Sequence, residues 1–485
     1  MFREIGCGSL TSRKRFGTAL FAALVSILPV VSNPVAAEVL TPQQQLAFDI
    51  YKELVEINTV TATGDTARAA EAMAARLRAA GFADPDVHML SPAPRKGNLV
   101  VRLRGTGARK PILLLAHLDV VPANREDWSV DPFKLIEKDG YFYARGSGDD
   151  KYMAAAFVTN LIRYKQEGYK PDRDIIMALE TDEEILDRDG LGIQWLLKNY
   201  RDLIDAEFAL NEGGGVGLKD GKPIRNSVQT SEKVSLSYQL EVKNKGGHSS
   251  VPSRDNAIYR LAEGLVRLSK FSFPLNLNET TCAYFERTAQ FEGEQTAADM
   301  RAVLSDRQDP AAMSFVRLAA NPVYNAQLRT TCVATMLQGG HAVNALPQLA
   351  SAKVNCRIMP GEPVDEVKAT LERVLADDQI VITQLDQPVL SAPSALHEEI
   401  MGSIEKLSQE FWPGAVVLPT MSAGATDGSY LRNAGIPTYG HSGLAGDIND
   451  IRAHGKDERI LVKSFYEGED YLYRLVKILS GGARN

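Results

Sequence analysis

Apolar and polar positions follow three rhythms along this chain, and each predicts a different kind of element. Leu46, Ile50 and Leu54 recur at helical spacing behind Thr41-Pro42, an N-cap with proline at the first helical position, so a helix is predicted to about Ile57. Thr66 to Ala80 is alanine-rich and helical and is closed by Gly81, and Ala154 to Tyr164 reads as another helix. Pro111 to Ala116, Asp174 to Leu179 and Phe208 to Leu210 are unbroken apolar runs, the pattern of strands buried on both faces of an α/β sheet. Leu99 to Leu103 alternates as a further strand.

The rhythm changes near residue 231. Val234 to Val242 and Ala352 to Ile358 alternate as half-exposed strands, and Cys332 to Leu337 and Ile380 to Leu385 are strand-like. Asp255 to Leu268 and Val364 to Leu375 are helical. Strand, helix, strands, helix, strand describes a small α+β layer inserted into the first domain. Residues 270–325 read as irregular and wet. The first domain resumes near 389 and ends with a helix from Leu461 to Ile478. The expected division is a leader over 1–37, a catalytic domain over 38–230 and 389–485, and an insertion over 231–388. A length of 485 residues suits two cores better than one.

The leader is read from Arg13-Lys14-Arg15 ahead of an apolar stretch, Phe16 to Val31, with small residues at Val35-Ala36-Ala37. This is the pattern of a cleaved signal peptide. The apolar core falls short of the roughly 20 residues that span a bilayer. The mature chain is expected to start near Glu38, in the periplasm or outside the cell, with no stable membrane anchor. A net charge of -7 and the lack of a basic stripe exclude a nucleic-acid partner. Cys282, Cys332 and Cys356 remain after the leader, enough for one bridge whose pairing the sequence does not choose. Cys356, in an alternating run, reads as a small buried hydrophobe.

The candidate chemistry lies at or just past the predicted strand ends, where sites form in open α/β sheets. His117 and Asp119 are two apart, so a strand turns both to one side. Gly146-Ser147-Gly148 allow a tight turn that aims Asp149 inward, and one carboxylate can bridge two cations. Lys151 is placed to neutralise Asp150. In Glu183-Glu184 one acid can bind a metal while the other takes a proton from water. Glu212 offers a further carboxylate before a glycine run, and His454 and His441 compete as a second imidazole. Histidine with carboxylate donors suits zinc, with cobalt or manganese able to substitute. A calcium site fits the imidazoles poorly.

His-x-Asp, Arg-Gly-Ser-x-Asp-Asp-Lys, Asp-Glu-Glu, Asn-Glu-Gly-Gly, Gly-Gly-His-Ser-Ser-x-Pro and a late His-Gly-x-x-Glu together resemble the di-zinc aminoacylase and carboxypeptidase metallopeptidases. The closest look is to the carboxypeptidase S and secreted N-acyl-amino-acid hydrolase branch. The resemblance implies a mixed-sheet α/β zinc-hydrolase domain with an inserted α+β lid and dimerisation domain. It implies two zinc ions on His117, Asp149, Glu184, Glu212 and His454, with Asp149 bridging. It makes Glu183 the general base and Asp119 the residue that orients His117. His248 would meet the oxyanion, in many relatives across a dimer interface, assisted by Asn344, and Arg357 would hold a substrate carboxylate. The expected substrates are small peptides with a free C-terminus or, alternatively, N-acyl amino acids, and the expected partner is a second copy bound through the insertion. One departure stands out. Relatives often read Thr-Asp-x-Arg where this chain has Thr426-Asp427-Gly428-Ser429, so Arg357, Arg432 or Arg452 must substitute for that arginine or the substrate differs. The rival from another class is a noncatalytic peptide-binding protein of the same plan.

Overall fold

The computed structural model describes residues 39–185, 190–305 and 312–481, and the expected leader lies outside them. A ten-stranded mixed sheet carries the larger layer. Its order is Val87–Ala93, Lys96–Leu103, Ile175–Glu180, Ile112–His117, Phe208–Asn211, Thr438–Gly440, Lys222–Glu232, Val216–Lys219 and Ala445–Asp447, with Val416–Ser422 also paired to Lys222–Glu232. Ile112–His117 runs parallel to both Ile175–Glu180 and Phe208–Asn211, with His117 opposite Glu180. Their carboxyl ends therefore share one edge.

The unbroken apolar runs have a direct cause. Ile112 and Leu114 pack among helices Pro42–Glu56, Thr66–Ala79, Lys151–Gln166 and Val462–Leu479, while Leu113 and Leu115 face a second core with Ile193, Leu196 and Leu431. A strand covered on both sides has no face left for polar residues. Lys151–Gln166 starts directly after Asp149-Asp150, earlier than its apolar pattern indicates, and so fixes that turn to a buried helix. The Asp149–Asp150 peptide bond is cis.

The smaller layer is a four-stranded antiparallel sheet in the order Thr331–Gly339, Leu349–Ile358, Val234–Lys243, Val381–Gln384. Helices Ala257–Lys270 and Val364–Leu375 bury Leu261, Leu268, Val367 and Leu371 against it. Gly247–His248 pairs with Ala345–Leu346 in a short separate ladder. The fold is thus a mixed α/β catalytic domain with smaller inserted sheets. Cys332 and Cys356 face each other on neighbouring strands and form a disulfide, with Cys282 outside it. Cys356 is buried as expected, but as half of a bridge.

Residues 270–325 correct the sequence reading. Their described part holds helices Glu279–Thr288, Glu294–Ser305, Met313–Ala319 and Pro322–Leu328, the first and last capped by the Asn278 and Asn321 side chains. Phe285, Met300, Phe315 and Leu328 bury themselves around Leu418 of the large sheet. Each helix is short and its apolar partner lies far along the chain, so no local periodicity reveals it. Among the described residues no helix is long and apolar enough to cross a membrane.

Candidate metal centre and active site

The shared strand edge gathers acids and imidazoles from five separate stretches. His117, the last residue of its strand, is buried, with Nε2 3.1 Å from Asp149 Oδ1 and 3.8 Å from Glu212 Oε2. Its Nδ1 lies 3.0 Å from the Asp119 carbonyl oxygen, a contact that assigns the Nδ1 proton and leaves Nε2 to face the acids. Asp149 Oδ2 lies 3.1 Å from His454 Nε2, which is 3.0 Å from Glu184 Oε1. Two donor sets result, His117–Asp149–Glu212 and Asp149–Glu184–His454, and Asp149 belongs to both with one oxygen toward each.

The electrostatics of the cluster call for a cation. Burial, then the neighbouring Asp149, pushes Glu212 well above the carboxylate range, and burial raises Glu184. Burial also works against Asp149, but hydrogen bonds from His117 and His454 outweigh it and hold it low. Burial lowers His117, yet Asp149, Glu212 and Asp119 together hold it well above its usual range. The hydrogen bond to Asp149 raises His454 to about 9. Acids this close share protons with imidazoles unless a metal takes that place. Nitrogen and oxygen donors in two sets with a common carboxylate fit a pair of zinc ions.

A model of peptidase family M20/M25/M40 matches residues 113–478. This chain belongs to peptidase family M20. A probable carboxypeptidase S-like 2 of Dictyostelium discoideum is 30% identical over 379 residues, covering 76% of this chain and 71% of that protein. The human N-fatty-acyl-amino acid synthase/hydrolase PM20D1 is 30% identical over 382 residues, covering 76% and 74%. An M20 metallo-carboxypeptidase of Sulfolobus solfataricus has the same fold, with a TM-score of 0.66 at 17% identity over 90% of this chain and 99% of that one. The chain is accordingly a zinc-dependent M20 metallopeptidase or amidohydrolase.

Several residues of this M20 enzyme stand where chemistry needs them without touching the donors' free faces. The Asp119 carboxylate is fully buried and accepts from the backbone amides of Glu183 at 3.1 Å and Glu184 at 3.0 Å. Both the Asp119 carbonyl, at 3.0 Å, and its carboxylate, with Oδ1 at 3.7 Å, face His117 Nδ1, while the carboxylate also fixes the Glu183-Glu184 turn. Glu183 itself is buried at that turn. Asp182, just before it, takes a left-handed φ of 66° and is held by Lys96 at 2.5 Å. Lys151 does not neutralise Asp150; its ammonium donates to the Ile57 carbonyl at 2.8 Å.

Sequence reasoning gave no role to Arg145 and Glu458. Glu458 accepts from Gly146 N at 3.0 Å, Gly148 N at 2.8 Å and Arg145 Nη1 at 2.6 Å. Arg145 also donates to the carbonyls of His454 and Gly455 at 3.3 and 2.9 Å. One buried ion pair thus ties the Asp149 turn to the His454 loop. The signal was present: both residues sit inside motifs already quoted for their neighbours. The competition between imidazoles also ends here. His441 is fully buried, 3.0 Å from the Ser227 carbonyl and 2.7 Å from the Tyr471 hydroxyl, away from both donor sets.

The three remaining predicted residues make no hydrogen bond or ion pair to the donors among the described residues. His248 lies in the small ladder opposite Ala345, and Asn344 just before it accepts from Ser249 N through its carbonyl; both are exposed. The His248 ring contacts Ser250. Arg357 is half-buried on its strand, donates to Asn355, and faces no acid within ion-pairing distance among the described residues. Arg432 and Arg452 are already engaged, by Glu232 at 2.9 Å and Asp450 at 2.6 Å.

Proposed function

We propose that the enzyme hydrolyses the amide bond between a small acyl or aminoacyl group and a C-terminal amino acid whose carboxylate is free. The observation that carries this reading is the pair of donor sets sharing Asp149 beside Glu183, on a backbone clamped by Asp119. His117, Asp149, Glu184, Glu212 and His454 would hold two zinc ions, which when bound would supply Lewis-acid polarisation and a more acidic water. Glu183 takes the proton of the attacking water and returns it to the departing amine. Arg357, with no acid partner among the described residues, offers a bidentate seat for the substrate carboxylate, whereas Arg432 and Arg452 are taken. Small peptides satisfy this chemistry. N-acyl amino acids carry the same carboxylate, and the 30% identity to an N-fatty-acyl-amino acid hydrolase favours them as the second reading.

We propose further that residues 231–388 act as lid and dimer element. The edge strand Thr331–Gly339 exposes Val333, Met336 and Leu337, and the adjoining helix exposes Ile258 and Tyr259. An exposed apolar edge strand is a template for pairing with a second copy. His248 and Asn344, exposed in one chain, would then serve the partner's oxyanion. The Cys332–Cys356 bridge supports an oxidising compartment, in line with a cleaved leader. The deciding experiment compares kcat/KM for a dipeptide, its C-terminal amide, and N-acetyl and long-chain N-acyl analogues. Amidation should cost about 100-fold, the worth of a charge-assisted pair. Equal rates for acid and amide would contradict the reading.

A further inference from the structure

A cleft of about 700 Å3 opens between the helix Val364–Leu375, the Phe271–Pro274 stretch and the helix Met313–Ala319. It shares no lining residue with the metal centre. Its volume lies within the roughly 300–1,000 Å3 of small-molecule sites. Phe271, Phe273, Phe315, Val316 and Ala319 make its walls apolar. Arg329 reaches into it although the residue is only 8% exposed.

Arg329 is poorly satisfied there. Its Nη1 donates to the Phe273 carbonyl at 3.2 Å, but its Nε is buried with no hydrogen-bond partner. No acid pairs with it among the described residues, and burial lowers its pKa. Arg373 stands exposed at the rim, donating to Thr370 Oγ1 at 3.0 Å, and it too has no acidic partner among the described residues. A buried guanidinium without a counter-charge is costly, and the anion that relieves it must also suit apolar walls.

We propose that this cleft binds a long-chain aliphatic carboxylate, its head group on Arg329 and its tail along Phe271, Phe273, Phe315 and Val316. Arg373 at the rim attracts the head group. The site is separate from the catalytic one, so it stands whichever substrate the metal centre takes.

Calorimetric titration of the zinc-loaded, full-length enzyme with octanoate, dodecanoate and dodecanol below their aggregation limits tests this. Dodecanoate should bind more tightly than octanoate, by up to about fourfold per added methylene. Dodecanol should bind at least about tenfold more weakly than dodecanoate, because it leaves Arg329 without a charge partner. Ala319→Phe fills the cleft and should abolish dodecanoate binding with kcat/KM unchanged. Arg329→Met should weaken it about tenfold or more. A fatty acid bound at the metal centre would survive Ala319→Phe. The proposal is overturned by binding that persists in Ala319→Phe, by equal affinity for dodecanol, or by no binding to the wild type.

Discussion

Asp119 and Glu458 act through backbone. Each accepts hydrogen bonds from a turn that carries a metal donor, Glu184 or Asp149, so removing either leaves the donors present but loosely aimed. Outer carboxylates of this kind are worth about 10–100-fold in metal affinity or activity. Glu458→Gln should therefore lower zinc affinity by about that factor, measured by competition with a chelator, while the fold persists by circular dichroism. Glu183→Gln should keep both metals and lower kcat by about 100- to 10,000-fold. Unchanged turnover would remove Glu183 from its role. His441 gives the contrasting case. Burial holds it at about 4, below its unfolded value, so between pH 6.5 and 4 the unfolded chain binds the extra proton. Stability attributable to His441 is thus full above pH 6.5 and falls as pH drops, by up to about 3 kcal/mol. His441→Gln should flatten that slope in denaturant melts and leave zinc content intact, whereas His454→Gln should lose metal.

At the scale of elements, the legible parts are those whose own composition carries their environment. The runs ending at His117, Glu180 and Asn211 are apolar throughout because cores lie on both faces, and that alone placed the donors at strand ends. Thr41-Pro42 marked its helix as an N-cap followed by proline, and the structure adds a capping box with Gln44. Lys222–Glu232 was not legible, since its polar residues Asn226 and Thr230 find Ser408 and Thr280 far along the chain, where its strand partner Val416–Ser422 also lies. The helices of 279–328 were hidden for the same reason, their shared partner being Leu418. Of the site, the grouping of the metal donors was legible through motifs, but the Arg145–Glu458 tie was not, because its meaning lies in who accepts from whom. The disulfide belongs to this scale too. It closes a sequence separation of 24 between edge and inner strand. Reduction should destabilise the smaller layer by up to about 3 kcal/mol on loop entropy. Hydrogen exchange in 331–358 should quicken while zinc content stays constant; an unchanged exchange pattern would contradict this.

For the whole molecule, the proposed dimer would make His248 a residue of the partner's site. His248 sits exposed in the smaller layer, with its ring on Ser250, and reaches no donor within its own chain among the described residues. If it serves a second copy, inactive His248→Ala and inactive Glu183→Gln subunits should restore activity on mixing. A mixed dimer then holds one site with both groups intact. Persistent inactivity after verified subunit exchange would place His248 outside the partner's site. Light scattering on Leu337→Lys should show the dimer weakened, since a charge then lies on the apolar edge strand.

The measurement closest to the central claim is zinc titration of the stripped enzyme, followed by amide hydrolysis and bound-metal analysis in parallel. The account predicts activity that peaks with two zinc ions per chain and a loss of both activity and one or more ions in Asp149→Ala, because that carboxylate belongs to both sets. Full activity in the stripped enzyme, or two ions retained by Asp149→Ala, would contradict it.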